Sequence, residues 1–259
     1  MRLHQFAFSH FNEKARWALA WKGLPVPRQT YLPGPHMRGI RKLSGQTQTP
    51  VLETEQGVIA GSAAIIDWLE ARYPEPALYP QDPALRTDAL ALQAELDDGF
   101  GPAVRRLVFN VLKDELGYLA AMFASQAPAF ARVGYRAMLP LVRPLIVRGN
   151  GISEDSVAAA RVLVGETLEA LAERLRARRY LVGDCFSVAD LTAAALLAPL
   201  VQLEHEDMAR PRPVPPGLQS LAQQFEAHPV VGWVQDLYRE HRAQSPRAPS
   251  LVPPRQAAG

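Results

Sequence analysis

The sequence is nearly free of cysteine, with Cys185 as the single one among 259 residues. One thiol excludes an intramolecular disulfide and any metal site built from cysteines, and we predict no metal site. A chain with a single cysteine and no disulfide is typical of a reducing compartment. The first residues carry charges early and lack the apolar core of a secretion signal, so we predict a cytoplasmic protein. We expect the Cys185 thiol to be buried and inert.

The sequence also lacks a strong charge of either sign and any long apolar run. Its 28 basic and 26 acidic side chains leave a net charge of +2, so we expect no nucleic-acid partner. No uninterrupted apolar run is long enough to predict a membrane-spanning helix. Hydrophobic residues make up 48% and charged residues 21%, as in ordinary globular domains. The length allows two modest domains, each with its own core.

Residues 1–76 alternate between strand and helix patterns. The pattern predicts strands near 2–8, 26–32, 51–53 and 58–60. It predicts helices over 13–21, around 38–42 and from Ser62 to the residues before Pro74. Strands that alternate with helices in this way predict an α/β domain.

The character of the chain changes after this region. Residues 77–83 are rich in proline and predict a linker. The rest of the pattern is helical, so we predict an all-α domain over 84–243. Its helices are expected near 84–122, 128–148, 154–179, 187–203, 217–227 and 229–243. Residues 244–259 contain four prolines and predict a flexible tail.

Ser9 and Asn12 stand between the first predicted strand and the first predicted helix. A helix N-terminus presents unpaired backbone N–H groups and partial positive charge, which stabilise an anion such as a thiolate. A hydroxyl at that position can also donate a hydrogen bond to the anion. Both residues are also typical helix caps, and the local pattern alone favours that structural interpretation.

Two further segments could bind a peptide-like ligand. A cis bond at Pro50 would turn the backbone of Val51 so that it pairs with an extended peptide, although a trans proline is the simpler local interpretation. Gln48 precedes this turn and is a candidate for a contact. Ser62, after Gly61, opens an apolar helix and can bind a carboxylate through its hydroxyl and the helix amides, or it can act only as a cap.

In order and spacing, these segments resemble the glutathione-binding domain of the cytosolic glutathione transferases. Ser9 followed by Lys14-Ala15-Arg16 is similar to the Ser/Cys type of the motif that faces the glutathione sulfur. Thr49-Pro50-Val51-Leu52 is similar to the family's cis-proline turn. Gly61-Ser62-Ala63-Ala64-Ile65 is similar to its Glu/Asp-Ser-x-Ala-Ile pattern.

The second half of the chain also resembles this family. Tyr180-Leu181-Val182-Gly183-Asp184 followed by Phe186-Ser187-Val188-Ala189-Asp190 is similar to its C-terminal motif, and Ser187 and Asp190 have the spacing of a capping box. The resemblance implies a thioredoxin-like α/β N-terminal domain followed by an all-α helical bundle. It also implies a homodimer.

The resemblance implies glutathione as the co-substrate. Ser9 and Asn12 are then the predicted catalytic residues, near the sulfur. The predicted glutathione-binding residues are Gln48, Thr49, Pro50, Val51, Gly61 and Ser62. The thiolate would attack a small apolar electrophile, as expected for a glutathione transferase.

Three departures from the family pattern leave an alternative open. Gly61 stands where the family has an acidic residue, and His10 stands where many members have proline. Neither Ser9 nor Asn12 supplies a thiol, which excludes disulfide exchange through this site. The alternative is a non-catalytic binding or assembly protein that keeps the fold with a weakened glutathione site.

Residues 116–153 contain four arginines and no acidic residue, within an otherwise apolar segment. A basic apolar helix can line a pocket, form a subunit interface or lie on a membrane surface. We favour the pocket or the interface over the membrane surface.

Overall fold

The computed structural model describes residues 1–242, so the predicted tail and residue 243 lie outside the described residues. The N-terminal part consists of β1 (Arg2–Phe6), α1 (His10–Trp21), β2 (Arg28–Tyr31), α2 (His36–Ser44), β3 (Val51–Thr54), β4 (Gly57–Ala60) and α3 (Ser62–Arg72). The predicted order of strands and helices is confirmed, and this part is a thioredoxin-like α/β fold.

The remaining described elements are all helical, as predicted. They are α4 (Pro83–Glu95), a π-helical turn (Leu96–Phe100), α5 (Gly101–Leu112), α6 (Leu116–Phe123), α7 (Ala129–Gly149), α8 (Glu154–Leu175), α9 (Val188–Leu197), α10 (Pro216–Glu226) and α11 (Pro229–Leu237). Two 3₁₀ turns (Ala198–Leu200 and Glu206–Met208) and a π-helical turn (Tyr238–Arg242) complete them. Within residues 1–242, no helix combines the length and apolar character needed to cross a membrane.

The four strands form one mixed sheet in the order β2-β1-β3-β4. Strand β1 runs parallel to β2, and β3 is antiparallel to both β1 and β4. Val51, at the start of β3, pairs with His4 of β1 and with Ala60 at the end of β4. The end of β1, the start of β3 and the end of β4 therefore meet at one edge of the sheet.

Helix α1 is buried on all sides between the sheet, α3 and α9. Every residue from Asn12 to Ala20 is buried, including three charged side chains. Buried charges require charged or hydrogen-bonding partners. Lys14 donates to the carboxylate of Asp97 at 2.5 Å, which connects α1 to the π-helical turn after α4.

The other two buried charges of α1 belong to an ion-pair network. Glu13 accepts from Arg16 and from Arg242, each at 2.8 Å. Asp207 contacts Arg16, Arg28 and Arg242. Burial alone would raise the pKa of Asp207, but the three guanidinium groups lower it below its ordinary value. The last described residues are thereby held against α1.

Glu13, His205 and Asp207 also place three donor atoms within 4.8 Å of one another. This spacing would suit a metal ion. The arginines, however, already compensate both carboxylates. We therefore interpret the cluster as part of the ion-pair network.

Two sequence-based expectations are wrong. The helix predicted over 84–122 ends at Leu112 and a new helix begins at Leu116. Arg143 of α7 stabilises this break, because its guanidinium donates to the carbonyl of Lys113 at 2.9 Å and to the carboxylate of Asp114. Cys185, expected to be buried, is exposed.

The acid-free segment 116–153 forms α6 and α7. Phe123 of α6 packs edge-on against Phe6 of β1, with ring centroids 6.1 Å apart. Helix α7 buries Tyr135 and Leu139. It exposes a set of apolar side chains, namely Phe130, Val133, Leu141 and Leu145. The subunit interface that we expect in this segment stays a prediction.

The capping box at the start of α9 is present as predicted. Asp190 is fully buried and accepts hydrogen bonds from the Leu181 N–H at 2.8 Å and from the Ser187 N–H at 2.9 Å. The Ser187 hydroxyl donates to the same carboxylate at 2.9 Å. This side chain thus fixes the loop before α9 to the helix that packs against α1.

We expect Asp190→Ala to lower the free energy of unfolding by about 3 kcal/mol, because three buried donors lose a charged acceptor. Urea denaturation followed by circular dichroism measures this change. Asp184→Ala removes an exposed aspartate from the same loop and should change stability by less than about 0.5 kcal/mol. Equal effects of the two variants would contradict the structural role of Asp190.

His10, the first residue of α1, connects the two parts of the fold. Its side chain is buried, and Nε2 lies 3.0 Å from the carbonyl oxygen of Gly101 in α5. Burial, with a smaller contribution from the charge of Arg105, lowers the pKa of His10 to about 3. A carbonyl only accepts, so Nε2 carries the proton and the ring is neutral.

The low pKa of His10 predicts a loss of stability in acid. The unfolded chain binds a proton near pH 6.5 that the folded chain rejects until about pH 3, so stability falls as the pH falls through this window. At about pH 5, this difference amounts to about 2 kcal/mol. His10→Gln keeps a donor for Gly101 and does not titrate, so its stability loss between about pH 7.5 and 5 should be smaller by that amount. Urea denaturation at both pH values measures it, and equal losses would contradict the assignment.

Candidate active site at the edge of the sheet

The three predicted site segments meet at the sheet edge and are joined by hydrogen bonds. The amide N–H of Gly61 donates to the carbonyl of Pro50 at 2.9 Å, which joins the end of β4 to the start of β3. The side-chain amide of Asn12 donates to the Thr49 hydroxyl at 3.1 Å, which joins α1 to the same loop. The antiparallel register of β1 and β3 brings these segments together.

Ser9 is the N-cap of α1, with an extended backbone at φ −164° and ψ 129°. Its hydroxyl oxygen accepts from the Asn12 N–H at a long distance of 3.5 Å. The residue is partly exposed. Its hydroxyl hydrogen therefore remains available to donate to a ligand at the positive end of α1.

Asn12 lies below the surface of the site. It is fully buried, and its carbonyl oxygen has no hydrogen-bond partner among residues 1–242. Its side-chain amide donates to the Thr49 hydroxyl. These contacts favour a positioning role for Asn12, a residue predicted from the sequence to be catalytic.

Thr49, rather than Val51, presents unpaired backbone groups at this edge. The Thr49–Pro50 peptide bond is cis, as in the family turn that the sequence resembles. Val51 is fully buried, and neighbouring strands flank it on both sides. The backbone N–H and C=O of Thr49 have no hydrogen-bond partner within the described part of the chain. An extended peptide could therefore pair with Thr49.

The loop before Thr49 is shaped by side chains that no sequence pattern singles out. The Gln46 side chain accepts from the Gln48 N–H and donates to the Gln48 carbonyl at 3.0 Å. His36 accepts from the Gly34 N–H at Nδ1 and lies 2.9 Å from the Thr47 carbonyl through Nε2. Burial lowers the pKa of His36, which keeps this arrangement neutral. The Gln48 side chain is exposed at the rim of the site.

Gly61 and Ser62 form the beginning of α3. Gly61 adopts φ +96°, a conformation that side chains with a Cβ rarely adopt. Ser62 is 5% exposed, and its hydroxyl has no hydrogen-bond partner among the described residues. The first N–H groups of α3 are also without helical acceptors. The start of α3 therefore offers hydrogen-bond donors that have no acceptor among the described residues.

Helix α5 packs against the start of α1 and forms a wall beside Ser9. A Cβ added to Gly101 would lie 2.8 Å from the ring of Phe11 and 3.1 Å from Leu196, so α1 and α5 approach closely at this glycine. Phe109, two turns further along α5, stacks on Phe123 with centroids 6.3 Å apart. The wall is therefore mostly apolar.

Arg105 is the exception on this wall, and it is not among the site residues predicted from the sequence. It lies one helical turn after Gly101, on the same face of α5, and is half-buried. No carboxylate pairs with it within residues 1–242, and burial together with Arg106 lowers its pKa. A cation with this environment can bind an anionic group.

Comparison with known proteins agrees with this geometry. Residues 3–77 match the model of the glutathione S-transferase N-terminal domain, and residues 154–221 match the model of the glutathione S-transferase C-terminal domain. A glutathione S-transferase of Methylobacillus flagellatus with glutathione bound shares the fold, with a TM-score of 0.60 at 17% identity over 95% of this chain and 98% of that one.

Two curated relatives are similar in sequence. A maleylpyruvate isomerase of a Ralstonia species is 31% identical over 53% of this chain and 66% of its own length. A maleylacetoacetate isomerase of Pseudomonas aeruginosa is 32% identical over 44% of this chain and 56% of its own length. The chain thus spans less than two thirds of either relative. The two domain models together cover more than half of the chain. The chain therefore belongs to the glutathione S-transferase family.

Proposed function

We propose that this chain is a glutathione-dependent enzyme that presents the glutathione thiolate to a small electrophile. The observation that carries the proposal is the Ser62 hydroxyl at the start of α3, which no described residue binds and which lies close to the unpaired backbone of Thr49. This hydroxyl and the first N–H groups of the helix can donate to a ligand carboxylate.

Glutathione fits this edge in one direction. Its γ-glutamyl carboxylate would accept from the Ser62 hydroxyl and the first N–H groups of α3. Its cysteinyl backbone would pair with Thr49, next to the predicted ligand residue Pro50. Gly61 provides the backbone turn but no carboxylate for the amino group of the ligand. Gln48 lies at the rim as a further contact.

The sulfur would then lie at the beginning of α1. The Ser9 hydroxyl would donate to it, and the helix N-terminus would favour the thiolate over the thiol. Catalysis would come from the lowered pKa of the glutathione thiol and from the position of its sulfur beside the α5 wall. The protein itself forms no covalent bond in this scheme.

The wall also bears on the electrophile. The apolar surface around Phe11 and Phe109 fits the apolar substrate expected from the sequence, whereas Arg105 favours an electrophile that also carries a carboxylate. Maleylpyruvate and maleylacetoacetate, the compounds that name the two relatives, are carboxylates. We therefore propose that the enzyme isomerises or conjugates a small unsaturated acid. Gly61 keeps the non-catalytic alternative open, and glutathione binding distinguishes the two.

We expect Ser62→Ala to weaken glutathione binding by about fivefold or more, because the ligand carboxylate loses a hydroxyl donor. Isothermal titration with reduced glutathione measures this change. Ser220→Ala makes the same change on an exposed face of α10 and should leave binding unaltered. Ser9→Ala should bind glutathione with similar affinity but raise the pKa of its thiol, followed by thiolate absorbance. No binding of glutathione at millimolar concentration would reject the proposal.

We expect Arg105→Gln to lower kcat/KM by about tenfold for an unsaturated carboxylic acid such as maleylpyruvate. With an uncharged aryl halide, the same variant should change kcat/KM by less than about twofold, because no carboxylate is lost from the site. Steady-state kinetics with both electrophiles measures the difference. Arg132→Gln, an exposed arginine of α7, is the control. An equal loss with both electrophiles would show that Arg105 does not recognise the charge.

A further inference from the structure

The most exposed large apolar side chains of residues 1–242 lie together on α7. Four of them are between 66% and 82% exposed, namely Phe130, Val133, Leu141 and Leu145. Their spacing places them on one side of the helix, opposite to the buried Tyr135 and Leu139. We refer to this set as the α7 stripe. It is about 22 Å long, since each residue of an α-helix adds about 1.5 Å.

The α7 stripe is continuous along the helix. Between its two ends, Ala137, Pro140 and Pro144 are exposed on the same side. Isolated exposed apolar residues are ordinary, but a contiguous apolar surface of this kind marks an interaction site. The question is therefore which partner the surface fits.

Arginines border the α7 stripe on one flank. Arg132, Arg136 and Arg143 follow one another at helical spacing, between the stripe and the buried face of α7. Arg143 contacts the carboxylate of Asp114, whereas Arg132 and Arg136 make no ion pair within the described residues. Arg148 is exposed at the C-terminal end of the stripe.

Basic residues of α2 extend the surface beyond the other flank. Met138 lies on that flank, and its terminal methyl group is 3.9 Å from the position that a Cβ of Gly34 would occupy. Helix α2 begins two residues after Gly34, and its exposed side chains include Met37, Arg38, Arg41 and Lys42. Neither residues 14–52 nor residues 116–153 contain an acidic side chain, so this surface is positive although the whole chain carries only +2.

The charge of this surface argues against a second copy of the chain as its partner. The sequence favours a pocket or a subunit interface for this segment, but the stripe is exposed, and a twofold contact through it would bring arginines of both copies together. Like charges that face each other weaken an interface, and residues 116–153 supply no carboxylate to pair with them.

The surface of an anionic bilayer fits both parts of this pattern. Amphipathic helices that lie on a membrane insert their apolar side between the headgroups, while basic side chains beside it contact the lipid phosphates. Such a contact requires no spanning helix, in agreement with the helices of the described residues. A straight apolar stripe with cations beside it presents these two contacts to a flat surface at the same time.

We propose that the α7 stripe is a docking surface for an anionic lipid bilayer. Helix α7 lies parallel to the bilayer, with Phe130 and Leu141 below the headgroups and with Arg136 and Arg148 in contact with lipid phosphates. The surface uses no residue of the sheet edge. The proposal is therefore independent of the proposed glutathione chemistry.

Co-sedimentation of the full chain with lipid vesicles tests this surface. The protein should sediment with vesicles of equal parts phosphatidylcholine and phosphatidylglycerol, and at least about fivefold less with phosphatidylcholine alone. Salt at about 1 M shortens the Debye length to about 3 Å and should lower the bound fraction by about threefold or more.

Two variants test the two contacts separately. Leu141→Gln removes an apolar contact and Arg136→Gln removes a phosphate contact, so each should weaken binding to the anionic vesicles by about fivefold or more. Both side chains are exposed, and thermal melts confirm that the variants are folded. Leu145→Gln serves if Leu141→Gln is not folded.

Matched controls make the same changes on other surfaces. Val162→Gln alters an exposed valine of α8, and Arg178→Gln alters an exposed arginine beyond the end of that helix. Each should leave vesicle binding within about twofold of the original, because neither residue belongs to the α7 stripe or its flanks.

Three results would overturn the proposal. One is equal sedimentation with anionic and neutral vesicles, or none with either. Another is unchanged binding in both Leu141→Gln and Arg136→Gln. The third is a dimer that Leu141→Gln dissociates in analytical ultracentrifugation, together with no vesicle binding, which would assign the stripe to a contact between copies of the chain.

Discussion

The burial of helix α1 is the constraint on which the rest of the structure depends. Its charged residues are buried away from water, so each requires a charged or hydrogen-bonding partner. Those partners come from the helical region, with Asp97 for Lys14 and Arg242 for Glu13. An isolated α/β domain would keep the Glu13–Arg16 pair but would leave Lys14 without a carboxylate, at a cost that exceeds most single interactions in a protein. The two regions therefore depend on each other for a stable α1.

The candidate site follows from this arrangement. Ser9 is held at the start of α1, and the neutral His10 beside it is fixed by the Gly101 carbonyl of α5. The strand register then brings Thr49 and Ser62 to the same edge. The helical region thus has two effects at the site, because it positions the helix that faces the sulfur and supplies the wall against which an electrophile would pack.

The sequence predicts structure best where a short motif is compatible with only one local geometry. The capping box at Asp190, the order of the strands and the helix start at Ser62 were all predicted from short patterns and the family resemblance. Local patterns failed where distant residues decide. The burial of Asn12 and the assignment of unpaired backbone to Thr49 instead of Val51 depend on strand register, and the helix break after Leu112 depends on Arg143. Arg105 could not be singled out, because one arginine in a helix pattern shows neither its burial nor its lack of an acidic partner.

Arg105 of α5 lacks an acidic partner within residues 1–242. It lies in an apolar wall close to His10, whose pKa its charge helps to lower. Elsewhere in the described fold, buried cations such as Lys14 and Arg242 have carboxylate partners. A half-buried cation without a carboxylate loses hydration and gains no ion pair, so it is stabilised when an anion binds. Arg105 makes no ion pair within the described residues, so an anionic group of a ligand at the candidate active site would stabilise it.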